Sequence, residues 1–217
     1  MSEQVYVFGA GGLASEFTLM LEDLLDETGE PRYEVIAYVE TEPHGTSFMG
    51  RPIISEQRLR EVAAESASTG LFIAIGSAEV RARIVGSLAG FPMTYPTFVH
   101  PSVKVNATVE IAAGVIICQN VLLTANVRVG SHCYVNFDSS LAHDVEIGEF
   151  TFVGPKCCIN GNVTIGRRCM LGAASAFHPG VTVGDESVVG MGAIVLRDVG
   201  AGMMVIGNPA RQVLNAD

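Results

Sequence analysis

Residues 103–202 repeat every six positions, and this repeat constrains the fold more than any other feature of the 217-residue chain. Counting in sixes from Val103 meets Val109, Val115, Val121, Val127, Cys133, Ser139 and Val145, and continues through small or β-branched residues to Val199. Two residues after each comes an apolar series, with Ile111, Ile117, Leu123, Val129, Val135, Leu141 and Ile147 among its members. A helix repeats its apolar face every 3.6 residues and a plain strand every two, so neither favours six. A hexad sustained over this length marks a parallel β-helix.

Counting in eighteens purifies the columns. Val109, Val127, Val145, Val163, Val181 and Val199 form one, and Gly130, Gly148, Gly166, Gly184 and Gly202 form another. Three hexads therefore make one coil of a prism with three flat faces, each hexad supplying a short strand and a tight turn. The glycines are expected where the chain turns sharply. The repeat is expected to stay in phase to its end, with no loop leaving it. Binding sites are concave, so the expected pocket lies between prisms, or between a prism and the preceding domain. That predicts a homo-oligomer of cyclic symmetry.

The residues before the repeat alternate between strand and helix patterns. Val5–Phe8 reads as a strand, followed by a glycine turn and a helix to about Leu25. Tyr33–Val39 is a second strand, and a Gly/Pro-containing loop runs from there through Pro52. Ser55 is placed to cap a helix over Glu56–Ala67. Leu71–Ile75 is a buried strand, Ala78–Leu88 a helix and Thr97–Val99 a last short strand. Such alternation predicts a small α/β domain, a Rossmann-like parallel sheet. The expected division is 1–101 for this domain and 102–217 for the β-helix and its tail, with His100-Pro101 at the boundary.

Hydrophobic residues make up 48% of the chain and charged residues 17%, which excludes a disordered protein. The net charge is −10, with no run of Lys and Arg, so nucleic acid is a poor partner. No stretch is long and apolar enough to span a membrane, and the first residues lack the positive start of a signal peptide. The five cysteines contain no CxxC pair. Cys133, Cys157 and Cys169 fall on inward hexad positions as small hydrophobes, which predicts reduced thiols and a cytoplasmic location.

Gly9-Ala10-Gly11-Gly12-Leu13-Ala14 fits G-x-G-x-x-G/A between a strand and a helix. Backbone N–H groups at such a turn suit a phosphate, although a tight structural turn gives the same pattern. A dinucleotide site wants an acid about twenty residues on, and the plausible one, Glu40, lies 29 after Gly11. A nucleotide carried on a substrate is therefore favoured over NAD. His143-Asp144 is the main chemical candidate. One coil away on either side lie Ala125 and Gly161, small enough to leave room beside the ring. His143 is either a base facing a ligand or a solvated corner residue. Asp144 shares a column with Asn126 and Asn162, so it stacks the corner, orients His143, or does both. The spacing of His132, His143 and His178 does not provide a zinc site.

Hexads such as Ile147-Gly148-Glu149-Phe150-Thr151 and Val183-Gly184-Asp185-Glu186-Ser187 resemble those of the left-handed β-helix acyltransferases. Ala142-His143-Asp144-Val145-Glu146-Ile147-Gly148, the glycine turn and the terminal Gly207-Asn208-Pro209-Ala210-Arg211 resemble the nucleotide-sugar N-acetyltransferase and sialic-acid O-acetyltransferase family. The resemblance covers nearly the whole chain. It implies a left-handed helix and a homotrimer, with acetyl-CoA between adjacent prisms. It also implies His143 as general base, Asp144 as its acidic neighbour, and no metal. A UDP-linked amino sugar would sit on Gly9, Ala10, Gly11, Gly12, Glu40 and Glu42. Gly161, Gly172, Ala173, Gly207, Asn208, Pro209, Ala210 and Arg211 would line the cofactor groove. The implied reaction is acetyl transfer to an amine in bacterial glycan or lipopolysaccharide synthesis. The alternatives are O-acetylation of a sialic-acid-like sugar and a non-catalytic nucleotide-sugar-binding trimer. The family often carries histidine where this chain has Leu13 and Phe152.

Overall fold

The computed structural model describes residues 2–213. The chain divides into two compact units: residues up to 76 together with 80–96, and 77–79 together with 97 onward.

The first unit is a six-stranded sheet in the order β3-β4-β2-β1-β5-β6. Its strands are β1 (Glu3–Phe8), β2 (Tyr33–Glu40), β3 (Ser47–Phe48), β4 (Arg51–Ser55), β5 (Thr69–Ile73) and β6 (Met93–Thr94). All neighbours pair in parallel except β3 with β4. The helices are α1 (Gly12–Glu22), α2 (Glu56–Ala64) and α3 (Ala78–Ser87). β5 is buried along its whole length, as a strand flanked on both faces must be. Phe8, Val39, Leu59, Leu71, Ile73, Ile84 and Leu88 form one apolar cluster. Ser55 caps α2 as expected, its hydroxyl accepting from Arg58 N at 3.1 Å. The expected loop before Pro52 instead holds the β3–β4 hairpin. Its two central residues, Met49 and Gly50, both have positive φ, which a two-residue hairpin turn requires.

The second unit is a prism of two-residue rungs. Face one stacks Glu110–Ile111, Arg128–Val129, Glu146–Ile147, Thr164–Ile165 and Thr182–Val183. Face two runs from Phe98–Val99 through Ile116, Tyr134, Phe152, Met170 and Val188 to Met204–Ile206. Face three stacks Leu122–Leu123, Ser140–Leu141, Cys158–Ile159, Ala176–Phe177 and Ile194–Val195. From Val109 onward the alternate residues of the hexads point inward into one continuous core, whereas Val105 in the first hexad is exposed.

The three corners differ in what they hydrogen-bond. Between faces three and one, the inward residues are Val127, Val145, Val163 and Val181. At the other two corners, inward Cys, Ser and Thr bond across coils. Cys133 Sγ donates to Gly148 O at 3.0 Å, Thr151 Oγ1 to Gly166 O at 2.7 Å, and Cys169 Sγ to Gly184 O at 3.1 Å. Ser139 Oγ donates to Gly154 O at 2.9 Å and Cys157 Sγ to Gly172 O at 3.3 Å. The Cys, Ser and Thr members of the mixed columns are therefore donors, and the inward cysteines do more than fill space. Burial pushes the Cys157 and Cys169 thiols up, which keeps them protonated and able to donate.

Two expectations are corrected. First, Gly130, Gly148, Gly166 and Gly184 do not supply the positive-φ turn. That conformation falls one residue before each inward column, on Asn126, His132, Asp138, Asp144, Phe150, Lys156 and others. The glycines are needed because the next coil passes too close: a Cβ at Gly148 would lie 2.5 Å from Arg167 N, and one at Gly184 2.5 Å from Ala201 N. Second, the repeat loses phase in its last coil. Val199 pairs with Val183, and Met204 with Val188, a spacing of sixteen residues where other rungs keep eighteen. Val199 therefore joins the valine column in sequence only, and Gly202, with φ +68°, occupies a turn place rather than the place of Gly184. A final strand, Arg211–Gln212, then pairs antiparallel with Met204–Ile206.

Candidate active site

His143 lies at the corner between faces three and one, where the strand Ser140–Leu141 ends and Glu146–Ile147 begins. The corner turns on Asp144, whose φ is +59°, a conformation that Asp and Asn tolerate better than most residues. Asp144 N donates to Ala125 O at 2.9 Å and Asn162 N to His143 O at 3.0 Å, so backbone bonds to both flanking coils fix this corner.

The side chains form a short relay. Asn126 Nδ2 donates to Asp144 Oδ1 at 2.9 Å, and His143 Nδ1 lies 2.8 Å from Asp144 Oδ2. Asp144 therefore stacks the corner with one oxygen and orients His143 with the other. The hydrogen bonds from Asn126 and His143 hold its carboxyl below the usual carboxylate range. An ionised carboxylate accepts only, so Nδ1 carries a proton, and in the neutral ring the lone pair is then on Nε2. The His143 and Asp144 side chains are 60% and 45% exposed, which leaves Nε2 accessible.

Gly161 sits beneath the ring. A Cβ there would lie 2.4 Å from His143 Cε1 and 2.5 Å from Nε2. The small neighbour expected to leave lateral room thus makes room for the imidazole itself. The bond from Asn126 is the stacking contact that its place in the column with Asp144, eighteen residues earlier, led one to expect.

The other expected cofactor residues lie elsewhere on the prism. Gly172 and Ala173 are at the corner between faces two and three, with Gly172 N bonded to Val189 O at 2.7 Å and Gly192 N to Ala173 O at 2.8 Å. Gly207, with φ +93°, precedes a cis Asn208-Pro209 bond in the turn that leads to Arg211–Gln212. Pro209, Ala210 and Arg211 border a cavity of about 510 Å³ at this end, floored by Val195, Val199 and Val205. Within one chain, His143 with Gly161 and Gly172 with Ala173 occupy different corners.

In the first unit, Gly9 closes β1 with φ +113°, and a Cβ there would meet Ala74 O at 3.0 Å. Gly9 is therefore fixed by conformation and close approach. A Cβ at Gly11 or Gly12 would meet nothing within 4 Å. Gly11 is the extended N-cap of α1 and provides no side-chain cap, so Ala10, Gly11 and Gly12 lead into a helix start with free space above it. Beyond the strand ends is a cavity of about 360 Å³ that brings Gly9, Glu40 and Glu42 together. Thr41, His44, Ile75, Val80 and Arg83 complete it and went unnoticed in the sequence. Glu40 Oε2 accepts from His44 N at 2.9 Å. Among the described residues no helix is long and apolar enough to cross a membrane.

The architecture has known counterparts. The PglD N-terminal domain model matches residues 4–88. The bacterial transferase hexapeptide model matches residues 144–175, and the hexapeptide repeat of succinyl-transferase matches residues 162–197. A histidine-to-asparagine variant of perosamine N-acetyltransferase from Caulobacter crescentus, solved with CoA and GDP-perosamine, is similar at 27% identity. The match covers 98% of each chain with a TM-score of 0.88. WeeI from Acinetobacter baumannii AYE is 26% identical over 97% of this chain and 100% of its own, with a TM-score of 0.77. The acetyltransferase domain of PglB from Neisseria gonorrhoeae FA1090, solved with acetyl coenzyme A, shares the fold at 24% identity. That match covers 98% of this chain and 100% of the domain, with a TM-score of 0.86. With a PglD-type N-terminal domain followed by hexapeptide transferase repeats, the chain is similar over nearly its whole length to nucleotide-sugar acetyltransferases of the left-handed β-helix kind.

Proposed function

We propose that this protein transfers an acetyl group from acetyl-CoA to the amine of a nucleotide-activated amino-deoxy sugar. The observation that carries the reading is the oriented imidazole: Nδ1 is tied to Asp144, and Nε2 is accessible above Gly161. The first unit serves as the nucleotide-sugar domain and the prism as the transferase domain, with the boundary near residue 97, since Phe98–Val99 is the prism's first rung and not the last strand of the sheet. The similar perosamine N-acetyltransferase, solved with CoA and GDP-perosamine, supports the same class of donor and acceptor.

Acetyl-CoA supplies an acyl carbon already activated as a thioester. His143 Nε2 takes the proton that the sugar amine must lose as its nitrogen bonds to that carbon. It then returns the proton to the departing sulfur, so the residue ends as it began. Asp144 holds Nδ1–H and stabilises the imidazolium between the two transfers. General base catalysis of this kind is worth about 10²–10⁴ in rate. The cofactor residues fit a groove shared between copies: Gly161 lies beside the base, whereas Gly172 and Ala173 lie on another corner. That separation supports a homotrimer in which one prism faces the His143 corner of the next. The nucleotide belongs on Gly9–Gly12 and the cavity beside Glu40 and Glu42. The finer part of the reading is a UDP-linked sugar in glycan or lipopolysaccharide synthesis in the cytoplasm. The five free thiols among the described residues fit a reducing compartment.

The test is CoA release from acetyl-CoA in the presence of UDP-, TDP- and GDP-linked 3-amino and 4-amino sugars. Release with at least one acceptor, lost in His143→Ala, is expected. Binding of nucleotide sugars without release from any would establish a binding module instead. Undiminished release by His143→Ala would remove it as the base.

A further inference from the structure

Two corners of the prism carry the same ladder of side chains. Between faces two and three, Ser102 Oγ accepts from Asn120 N at 2.9 Å, and Asn120 Nδ2 donates to Asp138 Oδ1 at 3.2 Å. Between faces three and one, Thr108 Oγ1 accepts from Asn126 N at 2.8 Å, and Asn126 Nδ2 donates to Asp144 Oδ1 at 2.9 Å. Each step climbs one coil, and the Asn and Asp residues of both ladders have φ between +57° and +60°. The shared pattern stacks the early coils. The two ladders differ at the residue before the aspartate. Phe137 precedes Asp138 and its ring offers no donor, whereas His143 Nδ1 lies 2.8 Å from Asp144 Oδ2. In the second ladder the donors run one way. Thr108 Oγ1 donates to Asn106 Oδ1 at 2.7 Å, which leaves its lone pairs for Asn126 N. Asn126 turns its NH2 to Asp144, since an amide oxygen and a carboxylate are both acceptors.

We infer that Asn126 is a positioning residue for the transfer: by holding Oδ1 of Asp144 from the preceding coil, it turns Oδ2 onto Nδ1 of His143 and so fixes the imidazole that faces the substrate. The inference rests on the reading of His143 as the base. A carboxylate bonded only to the ring beside it is free to swing with that ring. The Asp144 side chain is 45% exposed, so packing does not restrain it. A second bond from another coil removes the freedom. Asn126 can supply it because its own backbone is tied to Thr108, and Asp144 N is tied to Ala125 O at 2.9 Å. The preceding coil thus grips Asp144 at its backbone through Ala125 and at its side chain through Asn126. The bond from Asn126 is also the largest cause of the lowered Asp144 carboxyl pKa. It therefore favours the ionised form, which can only accept from Nδ1.

Two substitutions in the full chain separate positioning from stacking. Asn126→Gly removes the donor and keeps the positive φ without strain. Asn126→Asp keeps the shape and the tolerance of this turn but sets an acceptor against Asp144. Asn126→Gly is expected to lower kcat about tenfold, the scale of one bond to a charged group, with the KM for acetyl-CoA little changed. Asn126→Asp should lose at least as much. Asn120→Gly cuts the equivalent rung of the other ladder, and it should lower the Tm as Asn126→Gly does while kcat stays near native. NMR of the histidine ring nitrogens reads the imidazole without turnover, with His143→Ala assigning its signal. In the native chain the neutral His143 ring is expected to carry its proton on Nδ1, and in Asn126→Gly to show a mixture of both tautomers. An unchanged His143 signal in Asn126→Gly, or a loss of kcat that Asn120→Gly matches, would overturn the inference. Full activity of His143→Ala would instead defeat the reading of the base on which it stands.

Discussion

A single carboxylate serves two purposes at the His143 corner, and substitution separates them. Asn at position 144 keeps a residue that tolerates φ +59° and can still pair with its neighbours, but it removes the negative charge beside Nδ1. Asp144→Asn is expected to lower kcat by up to about 10⁴-fold, the scale for replacing the carboxylate that holds a catalytic imidazole in its tautomer, with little change in Tm. Asp144→Ala should lose activity and Tm together. The sign of the pH effect follows from the depressed carboxyl: its stabilisation is complete above the ordinary carboxylate pKa and disappears as pH falls through the lower, folded value. Asp144 therefore contributes no limb to a rate profile measured above about pH 5, since an unperturbed Asp titrates near 3.9. A carboxylate-like limb there that vanished in Asp144→Asn would contradict this assignment. Gly161→Ala places a methyl inside the space of the imidazole. A displacement of about 1 Å can cost 10²-fold, so kcat should fall sharply while the Tm stays near that of the native chain.

At the scale of the coil, the glycine and donor columns carry the corners. A Cβ at Gly148 would sit 2.5 Å from both Arg167 N and the Gly166 carbonyl carbon, backbone atoms that cannot rotate away. Gly148→Ala is expected to destabilise by about 1–3 kcal/mol, as overpacking does, read as a drop in Tm. Cys169→Val removes the donor to Gly184 O and should cost about 1 kcal/mol, whereas Cys169→Ser keeps it. The hexad was legible because packing inside a narrow prism forces small and apolar residues onto fixed positions. The function of each column was not, since spacing reports that a position is constrained and leaves the cause open. Close approach at Gly148 and positive φ at Asp144 both favour special residues, yet Phe150, Lys156 and Arg168 take positive φ with no compositional signal at all. The Met49-Gly50 hairpin was missed for the same reason, lacking the Asn-Gly or Asp-Gly pair that announces such turns. His143 and Asp144 were visible as candidates. Arg83 was not, because long-range folding alone brings α3 to the end of β2.

For the molecule as a whole, the separation of His143 from Gly172 and Ala173 gives an expected mass in light scattering of three chains. A monomer at micromolar concentration would contradict the shared groove. The sixteen-residue final coil has a different consequence. Stacked parallel rungs are a template, and an end rung with unpaired backbone invites another copy to continue the stack. Here the last coil is two residues shorter than the others, and the antiparallel strand Arg211–Gln212 occupies the edge beyond Val205 and Ile206. Axial growth is stopped, and the sides of the prism are left for association. Inserting two residues between Val195 and Val199 and deleting the chain from Arg211 onward restores an open, in-phase end. That protein is expected to sediment as elongated polymers, and a discrete particle of native size would show that the short coil is no barrier to fibre formation.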